Sequence, residues 1–451
     1  MSSKDCPERI LMLVPHEPDA DPRVRWVMQL CREIGPTEVI GLSAWNSAGV
    51  DSNKPVREAE GNIYVERIDL HEYASMRRKA WAMLTSFLSV GGTIRRYLER
   101  KRNTPSPDAA NADGEEERLS WVRRIDHRIG SWCRFHSVWA AYELIIDSLY
   151  RRARSSSVIP RVIICHDVLA LAAAIRLKPL FRCSVLYDAH ELWPEADLLA
   201  EQWERNAMAD YEGGLVRQAD AVVTVTPQIA RHLERQYRLS NVICAPNATP
   251  VEAEHASDEL RPASLPVKCL FQGQVTWRRG LEELLTAWQR IDPKLAVLYL
   301  RCPENEYLSY LKTKFDQIIR DGRVILLPAV REEQLVAAAR TADVGVIPYV
   351  GPNLNHVYCC PNKLSQYMQA GLAILSNRLA FVSDVIARHQ CGLTYEADKP
   401  ATLVEAVHFL AENPAALLGM RRRAGNAARM DFNWQHQSAA YKRAIATLYA
   451  G

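Results

Sequence analysis

Short apolar runs alternate with longer amphipathic runs along most of the chain. This alternation is typical of parallel sheets whose faces are covered by helices. In the first half the predicted strands are Arg9–Val14, Thr37–Leu42, Ile63–Ile68, Val162–Cys165, Ser184–Tyr187, Ala221–Val225 and Val242–Ala245. In the second half they are Val267–Gln272, Ala296–Arg301, Val324–Leu326, Val344–Ile347, Ala373–Ser376 and Gly392–Tyr395. The pattern predicts an α/β protein with two doubly wound sheets.

A polar stretch that contains Pro and Glu interrupts this alternation between the two sets of strands. We therefore predict a first domain over residues 1–250, a linker over 251–266 and a second domain over 267–430. Doubly wound sheets bind ligands at the carboxyl ends of their strands. A ligand that serves both domains would then lie in a cleft between them.

A helical insertion is predicted within the first domain, because residues from about 73 to 155 contain no clear strand. Its polar, acidic loop over 103–118 has the composition of a disordered segment. The part over 77–102 combines two basic clusters with apolar and aromatic residues between them. Such a helix can lie on an anionic membrane surface. It can equally pack on the sheet with its charged face in water, and the sequence leaves both alternatives open.

The composition adds limits to this picture. Of the 451 residues 48% are hydrophobic and 24% charged, as in ordinary globular proteins. A net charge of +3 is too small to indicate a nucleic-acid partner. The first apolar run is too short for a signal peptide, and no run approaches the roughly 20 residues of a membrane span. The eleven cysteines are odd in number and scattered, which argues against a disulfide framework and favours a cytoplasmic protein.

Polar residues that could carry chemistry follow two neighbouring predicted strands in the first half. His166 and Asp167 end one strand, and Asp188, His190 and Glu191 follow the next. A histidine at such a strand end can approach a reacting group, and neighbouring carboxylates can orient its ring. The alternative is a polar cluster that only satisfies loop backbone groups. The residues by themselves leave both interpretations open.

A second candidate site is a predicted helix in the second half. Pro361 suits a first helical position, Leu364 and Met368 have helical spacing, and Gly371 suits the helix end. The free N–H groups of a helix N-terminus and the charge of Lys363 together suit a diphosphate. A lysine at a helix start is, however, also typical of a solvated surface charge.

A third candidate is the turn that begins at Gly273 and leads to a helix after Arg279 and Gly280. It would bring Arg278 and Arg279 to a strand end, where a guanidinium can bind a phosphate with two hydrogen bonds. A charged loop without a ligand fits this stretch as well. The turn lacks the G-x-G-x-x-G pattern, so no nicotinamide site is predicted.

Other classes of site are not supported by the sequence. His356, Cys359 and Cys360 form a tight His/Cys group, but no second pair stands at metal-ligand spacing. We therefore predict no metal and no other cofactor. The absence of a G-x-S-x-G elbow and of a Walker-type loop argues against a hydrolase and an ATPase.

The order of the motifs resembles that of glycosyltransferase family four, a large family of retaining enzymes with the GT-B fold. The resemblance covers most of the chain. The motifs that carry it are Asp21-Pro-Arg-Val-Arg, Cys165-His-Asp, Tyr187-Asp-Ala-His-Glu-Leu-Trp-Pro-Glu, Ala219-Asp-Ala-Val-Val-Thr-Val-Thr with Ala245-Pro-Asn, Gly273 through Arg279-Gly280-Leu-Glu, and Pro361-Asn-Lys-Leu through Ala370-Gly371.

The resemblance implies two Rossmann-like domains that face each other across a cleft, with the acceptor bound by the first and a nucleotide sugar by the second. The helix within 431–451 would cross back to the first domain. Arg279 and Lys363 would hold the donor diphosphate and stabilise its developing charge, and His190 would lie over the reacting sugar or the acceptor hydroxyl. The implied donor-binding residues are Gly273, Arg278, Leu327, Pro328, Pro361, Asn362, Leu364 and Gln366. The implied acceptor-side residues are Asp21, Arg23, His166, Asp167, Asp188 and Glu191.

Two departures from the family pattern bear on activity. Tyr358 and Gln366 stand where the family often carries two glutamates, and Pro15-His-Glu-Pro replaces its Gly-rich loop. We expect a metal-independent, retaining hexosyltransferase that acts on a saccharide or lipid-linked acceptor in cell-surface or exopolysaccharide biosynthesis. It would be cytoplasmic, with possible peripheral contact to the inner face of the plasma membrane. The alternatives are a catalytically lapsed homologue that acts as a scaffold or partner subunit, and a nucleotide-sugar epimerase.

Overall fold

The structure is a computed structural model. It describes residues 8–43, 57–70, 135–156, 159–199, 201–251, 260, 262, 264–351 and 353–451. The expected basic helix over 77–102, the loop over 103–118 and most of the linker lie outside the described residues. In the described part no helix combines the length and the apolar character that crossing a bilayer requires.

The first sheet has eight strands in the described chain and is mostly parallel. Its strands are β1 (Arg9–Leu13), β2 (Thr37–Leu42), β3 (Arg57–Glu60), β4 (Ile63–Ile68), β5 (Pro160–His166), β6 (Ser184–Ala189), β7 (Ala221–Thr224) and β8 (Ile243–Cys244). They lie in the order β3-β4-β2-β1-β5-β6-β7-β8. The order reverses between β1 and β5, so that their carboxyl ends form the switch point of this sheet.

Strand β3 is the only element of this sheet that the hydrophobic pattern did not predict. It is antiparallel to β4 and lies at the sheet edge, with mostly exposed side chains. An edge strand with polar side chains on both faces has no apolar alternation to reveal it. The other strands form where the pattern placed them, with ends that differ by one or two residues.

Five described helices accompany this sheet. They are α1 (Pro22–Arg32), α2 (135–154), α3 (Asp167–Phe181), α4 (Gln202–Val216) and α5 (Pro227–Tyr237). Local capping defines two of their starts: the Asp21 side chain accepts the Arg23 N–H at 2.8 Å, and the Thr226 hydroxyl accepts the Ile229 N–H at 3.2 Å. Both helices have proline as their first residue. Helix α2 is the described part of the predicted insertion.

The second sheet is parallel throughout and has six strands. They are β9 (Val267–Gln272), β10 (Ala296–Arg301), β11 (Val324–Leu327), β12 (Val344–Ile347), β13 (Ala373–Asn377) and β14 (Gly392–Tyr395). The order β11-β10-β9-β12-β13-β14 is that of a Rossmann fold, and its switch point lies between β9 and β12. The prediction of a second doubly wound sheet is confirmed.

The described helices of this half of the chain alternate with these strands and continue after the last of them. They are α6 (Leu281–Trp288), α7 (Glu306–Lys314), α8 (Asp316–Arg320), α9 (Leu335–Ala339), α10 (Leu354–Tyr358), α11 (Asn362–Gln369), α12 (Ala380–His389), α13 (Pro400–Glu412), α14 (Pro414–Met430), α15 (Trp434–Gln437) and α16 (Ala439–Ala450). Apolar strand residues pack against α6, α7 and α13 in one cluster around Trp288, which is fully buried. This core holds the strand ends of the second sheet in place.

The chain divides into two compact units. The first comprises residues 1–188, 197–221 and 445–451, and the second comprises 189–196 and 222–444. Residues 222–250, which we predicted to be part of the first domain, therefore group with the second unit. The end of the last helix groups with the first, where the Tyr449 hydroxyl donates a hydrogen bond of 2.9 Å to the Glu8 carbonyl.

The described cysteines behave as the sequence predicts. Nine of them are free thiols, and most are buried in the strands and helices. Burial raises the pKa of the Cys183 and Cys391 thiols to about 11, and raises that of Cys165 well above its usual value. These thiols are protonated near neutral pH and serve as small apolar residues of the core.

Candidate functional site

The turn after β9 lies at the switch point of the second sheet and depends on two glycines. Gly273 has a φ of +110°, a conformation that side-chain-bearing residues rarely adopt. Gly280 has a φ of +78°, and a Cβ atom there would lie 1.8 Å from the Pro348 carbonyl oxygen. The turn therefore passes directly against the loop after β12. Helix α6 begins immediately after Gly280, as predicted.

Two of the predicted cations meet around one aromatic ring in this region. The Arg279 guanidinium carbon lies 5.1 Å from the centre of the Tyr349 ring. The Lys363 ammonium lies 4.3 Å from the same centre and donates a hydrogen bond to the Tyr349 hydroxyl. It also lies 4.6 Å from the centre of the Phe271 ring at the end of β9. Tyr349 and Phe271 were not among the predicted site residues, since an aromatic residue near a strand end is indistinguishable from core by sequence.

Lys363 is the second residue of α11, and its side chain is buried. Among the described residues no carboxylate lies within ion-pair distance of its ammonium group. Pro361 is the N-cap of this helix rather than its first residue, so the helix begins one residue later than predicted. The buried Asn362 Oδ1 atom has no hydrogen-bond partner in the described chain. Gln366, on the next turn of the helix, is also buried.

A further cation of this region, Arg301, was missed by the sequence analysis. It is the last residue of β10 and is buried, and its Nη1 donates a hydrogen bond of 3.1 Å to Gln272 Oε1. Burial lowers the pKa of the guanidinium. The signal was present, because an arginine ends an otherwise apolar strand at the ligand-binding edge of the sheet.

Apolar residues continue this edge beyond Arg301. Leu327 is the register partner of Arg301 on β11, and both Leu326 and Leu327 are half-buried. Pro328 follows and is exposed. Arg278 is also exposed, with a φ of +63°. The second unit thus brings most of the predicted donor-binding residues to the carboxyl edge of one sheet, around the start of α11.

The segment 189–196 contains His190 and Glu191. It forms hydrogen bonds with α10 within the second unit. Asn355 accepts the Leu192 N–H at 2.6 Å through Oδ1 and donates to the Leu192 carbonyl at 2.9 Å. Its Nδ2 lies 3.5 Å from Glu191 Oε2. The Asn355 amide thus satisfies both the N–H and the C=O of Leu192, as the backbone of a neighbouring strand would. Asn355 therefore sets the position of the loop that follows His190.

Several predicted acceptor-side residues meet at the switch point of the first sheet. The Arg23 guanidinium donates to both oxygens of Asp188, at 2.9 Å from Nε to Oδ2 and 2.7 Å from Nη2 to Oδ1. His166 Nδ1 lies 3.3 Å from Asp188 Oδ2. The side chains of all three are at most 1% exposed. The arrangement is thus a buried ion pair beneath the edge of the sheet.

Two other members of this group have backbone roles in the described structure. Asp21 caps helix α1 through its hydrogen bond to the Arg23 N–H. Asp167 begins α3 with a φ of +63°, a conformation that non-glycine residues adopt at a cost. Strained residues cluster at ligand sites, so Asp167 marks the end of β5 as a candidate site. Contact of these residues with an acceptor stays a prediction.

Taken together, the geometry of the second unit suits the binding of an anion. The N-terminus of α11 supplies partial positive charge. Two cations, Arg279 and Lys363, lie near it against the Tyr349 ring. The Lys363 ammonium is buried, and no carboxylate of the described chain lies within ion-pair distance of it. Such an ammonium is costly unless a ligand supplies the negative charge.

Two family models match the sequence. "Glycosyl transferases group 1" matches residues 266–413, and "Glycosyl transferase 4-like domain" matches residues 102–248. No curated protein matches the chain significantly.

Several solved structures resemble this one over their whole length. Sucrose-phosphate synthase (tll1590) from Thermosynechococcus elongatus is 16% identical, with a TM-score of 0.66, and the match covers 98% of this chain and 100% of that one. An alpha,alpha-trehalose-phosphate synthase (UDP-forming) from Burkholderia vietnamiensis is 13% identical, with a TM-score of 0.60 and the same coverage. Anabaena Alr3699/HepE in complex with UDP and glucose is 10% identical, with a TM-score of 0.63 and again the same coverage. These matches confirm the predicted GT-B fold.

Proposed function

Since the chain belongs to the glycosyl transferases group 1 family, we propose that it moves a sugar from a nucleotide-sugar donor to a saccharide or lipid-linked acceptor. The observation that carries the proposal is the buried Lys363 ammonium at the N-terminus of α11. Together with Arg279 it offers two positive charges and a helix dipole to one diphosphate. The space beside Gly273 at the nearby strand end is open, since a Cβ atom there would meet no other atom within 4 Å.

We propose that this charge replaces the metal that other transferases use. As the bond between the anomeric carbon and the diphosphate oxygen breaks, the negative charge on the diphosphate grows. Lys363, Arg279 and the α11 N-terminus would stabilise that charge in the transition state. For transfer with retention, the acceptor oxygen bonds to the anomeric carbon on the face that the diphosphate leaves. The acceptor proton then passes to the departing diphosphate oxygen, so no protein base is required.

The setting of the reaction is also part of the proposal. A cell-surface or exopolysaccharide pathway would supply a saccharide or lipid-linked acceptor to a hexosyltransferase of this kind. Peripheral contact with an anionic membrane through the segment 77–102 would bring a cytoplasmic enzyme to a lipid-linked acceptor. The charge pattern of that segment supports this placement.

His190→Ala is expected to lower turnover by about 10²- to 10³-fold, the loss typical when one polar group that stabilises the transition state is removed. The donor dissociation constant should change much less, because the proposed contact of His190 is with the reacting sugar or the acceptor hydroxyl. Steady-state kinetics with donor binding measured separately distinguish the two effects. Asn355→Ala, which removes the support of the same loop, serves as a comparison. A fully active His190→Ala protein would mean that His190 has only a structural role.

The donor site is tested by thermal-shift measurements with UDP, GDP, ADP and dTDP and their common sugar conjugates, without added metal. A ligand that binds the folded state raises Tm, by an amount that grows with its concentration relative to Kd. We expect one nucleotide to give the largest shift and Arg279→Met to reduce that shift. Arg290→Met, at an exposed position of the same unit, is the matched control.

Failure of every nucleotide to raise Tm would contradict the donor site and favour the lapsed homologue that acts as a scaffold. Gln366 would then be the first residue to replace by glutamate, since a carboxylate binds a ribose diol more strongly than an amide does. Interconversion of free sugar nucleotides without any acceptor would instead indicate an epimerase.

A further inference from the structure

We propose that Arg301 is a specificity-determining residue that donates hydrogen bonds to an oxo group of the donor's nucleotide base. This inference rests on the proposed function, because it assumes that a nucleotide diphosphate binds at Lys363 and Arg279. It extends that function to a part of the donor that those two cations do not distinguish.

The first argument is the burial of Arg301 without compensation by an acid. The side chain is 8% exposed, and no carboxylate lies within 4 Å of it in the described part of the chain. Its Nε is buried and has no hydrogen-bond partner there. Other buried arginines of this protein are paired: Arg421 with Asp343 at 3.1 Å, and Arg67 with Glu17 at 2.7 Å. A buried guanidinium that lacks such a partner is costly unless a ligand completes its hydrogen bonds.

The second argument is that Arg301 is held in a defined orientation. Gln272 accepts from Arg301 Nη1 through Oε1 and donates through Nε2 to the Leu335 carbonyl at 3.2 Å. The Gln272 backbone N–H in turn donates to the Tyr367 hydroxyl at 2.9 Å. The amide of Gln272 is therefore fixed, and it fixes the plane of the guanidinium. Such support is typical of a residue that recognises a ligand by geometry.

The third argument is the direction in which a nucleotide can extend from the diphosphate site. Towards β13 and β14 the Asn377 side chain links the segments that follow the strands, because it donates to the Tyr349 carbonyl at 2.7 Å and accepts the Ala397 N–H at 3.0 Å. On the other side, the ends of β10 and β11 present Arg301 beside the half-buried Leu327. An apolar surface next to a donor group suits a planar base. The nucleoside should therefore lie over Arg301.

The chemistry of the guanidinium then selects among the bases. It has only hydrogen-bond donors. Guanine presents two adjacent acceptors, O6 and N7, and uracil, like thymine, presents a carbonyl acceptor at O4. Adenine presents the N6 amine, a donor, beside its N7 acceptor. The N6 amine would therefore oppose an N–H donor of the guanidinium. Arg301 thus favours bases with an oxo group over adenine.

The test measures Kd for UDP, GDP, ADP and inorganic pyrophosphate by isothermal titration calorimetry. For the wild type we expect UDP or GDP to bind more tightly than ADP. Arg301→Met should weaken binding of the preferred nucleotide about 5- to 150-fold, which corresponds to one well-formed pair of hydrogen bonds. Binding of pyrophosphate should change less than twofold. Arg320→Met, at an exposed arginine that pairs with Asp316, is the matched control and should change none of these values.

Arg301→Lys keeps the positive charge but removes the planar pair of donors, and it carries the test by itself if Arg301→Met does not fold. It should lower the preference for the oxo base and leave pyrophosphate binding unchanged. Equal losses for all nucleotides and for pyrophosphate would overturn the inference in favour of a phosphate contact. Unchanged nucleotide binding would mean that Arg301 is structural. If the wild type bound no nucleotide at all, the proposed function itself would fail.

Discussion

Lys363→Met is expected to lower the turnover of sugar transfer by about 10²- to 10³-fold, the loss typical when one group that stabilises transition-state charge is removed. The ammonium is positioned by the Tyr349 hydroxyl and by two aromatic rings at the start of α11. Methionine has a similar length and fills the same space without the charge. Turnover is measured as product formed per enzyme at saturating donor and acceptor.

The same substitution should leave the ligand-free protein at least as stable as the wild type. In the described chain no carboxylate offsets the burial of the Lys363 charge, and an apolar side chain avoids that cost. A loss of turnover together with an unchanged or higher Tm would separate a functional role from a structural one. Lys399→Met, at an exposed lysine that pairs with Glu396 in the same unit, is the matched control. Wild-type turnover of Lys363→Met would show that the anion site is wrongly assigned.

Asp188→Ala is expected to lower the free energy of unfolding by about 3–5 kcal/mol, because it removes the carboxylate that forms a buried ion pair with the Arg23 guanidinium. Both oxygens of Asp188 bond to Arg23, and both side chains are at most 1% exposed. The loss should be visible in urea-induced unfolding followed by tryptophan fluorescence.

Two further variants test the origin of this loss. The double variant Arg23→Met with Asp188→Ala should recover part of the lost stability, since the buried positive charge is removed together with the carboxylate that pairs with it. Asp316→Ala breaks an exposed ion pair with Arg320 and should cost less than about 1 kcal/mol. If Asp188→Ala were no more costly than Asp316→Ala, the buried pair would contribute no more than a surface pair.

Within the first sheet, the pattern of the sequence was most informative where apolar strands are buried on both faces. A strand such as β2 is apolar enough to be recognised, and it has the predicted bounds. Strand β3 was missed because exposed polar residues at a sheet edge follow no alternation. The start of α11 differs by one residue from its prediction, since Pro361 fits both an N-cap and a first helical position.

Two of the predicted donor-side residues were recognised from local sequence features that the structure also shows. Gly280 is required by the close approach of Pro348, and Lys363 begins a helix, so each could be recognised from its neighbours in sequence. Arg301 had a weaker local signal, and its partner Gln272 lies 29 residues earlier in the chain. A pair of this kind becomes visible only when the order of the strands is known.

The sequence by itself determined the α/β class, the two sheets and the family, and it predicted the helix that we propose as the anion site, because periodicity, turn residues and motifs are local properties. The tertiary structure alone decided which charges are neutralised. It pairs Arg23 with Asp188 across 165 residues and leaves Lys363 and Arg301 buried without a described carboxylate. The physical reason is that burial and partnership depend on the order in which strands join a sheet, and residue spacing along the chain does not specify that order.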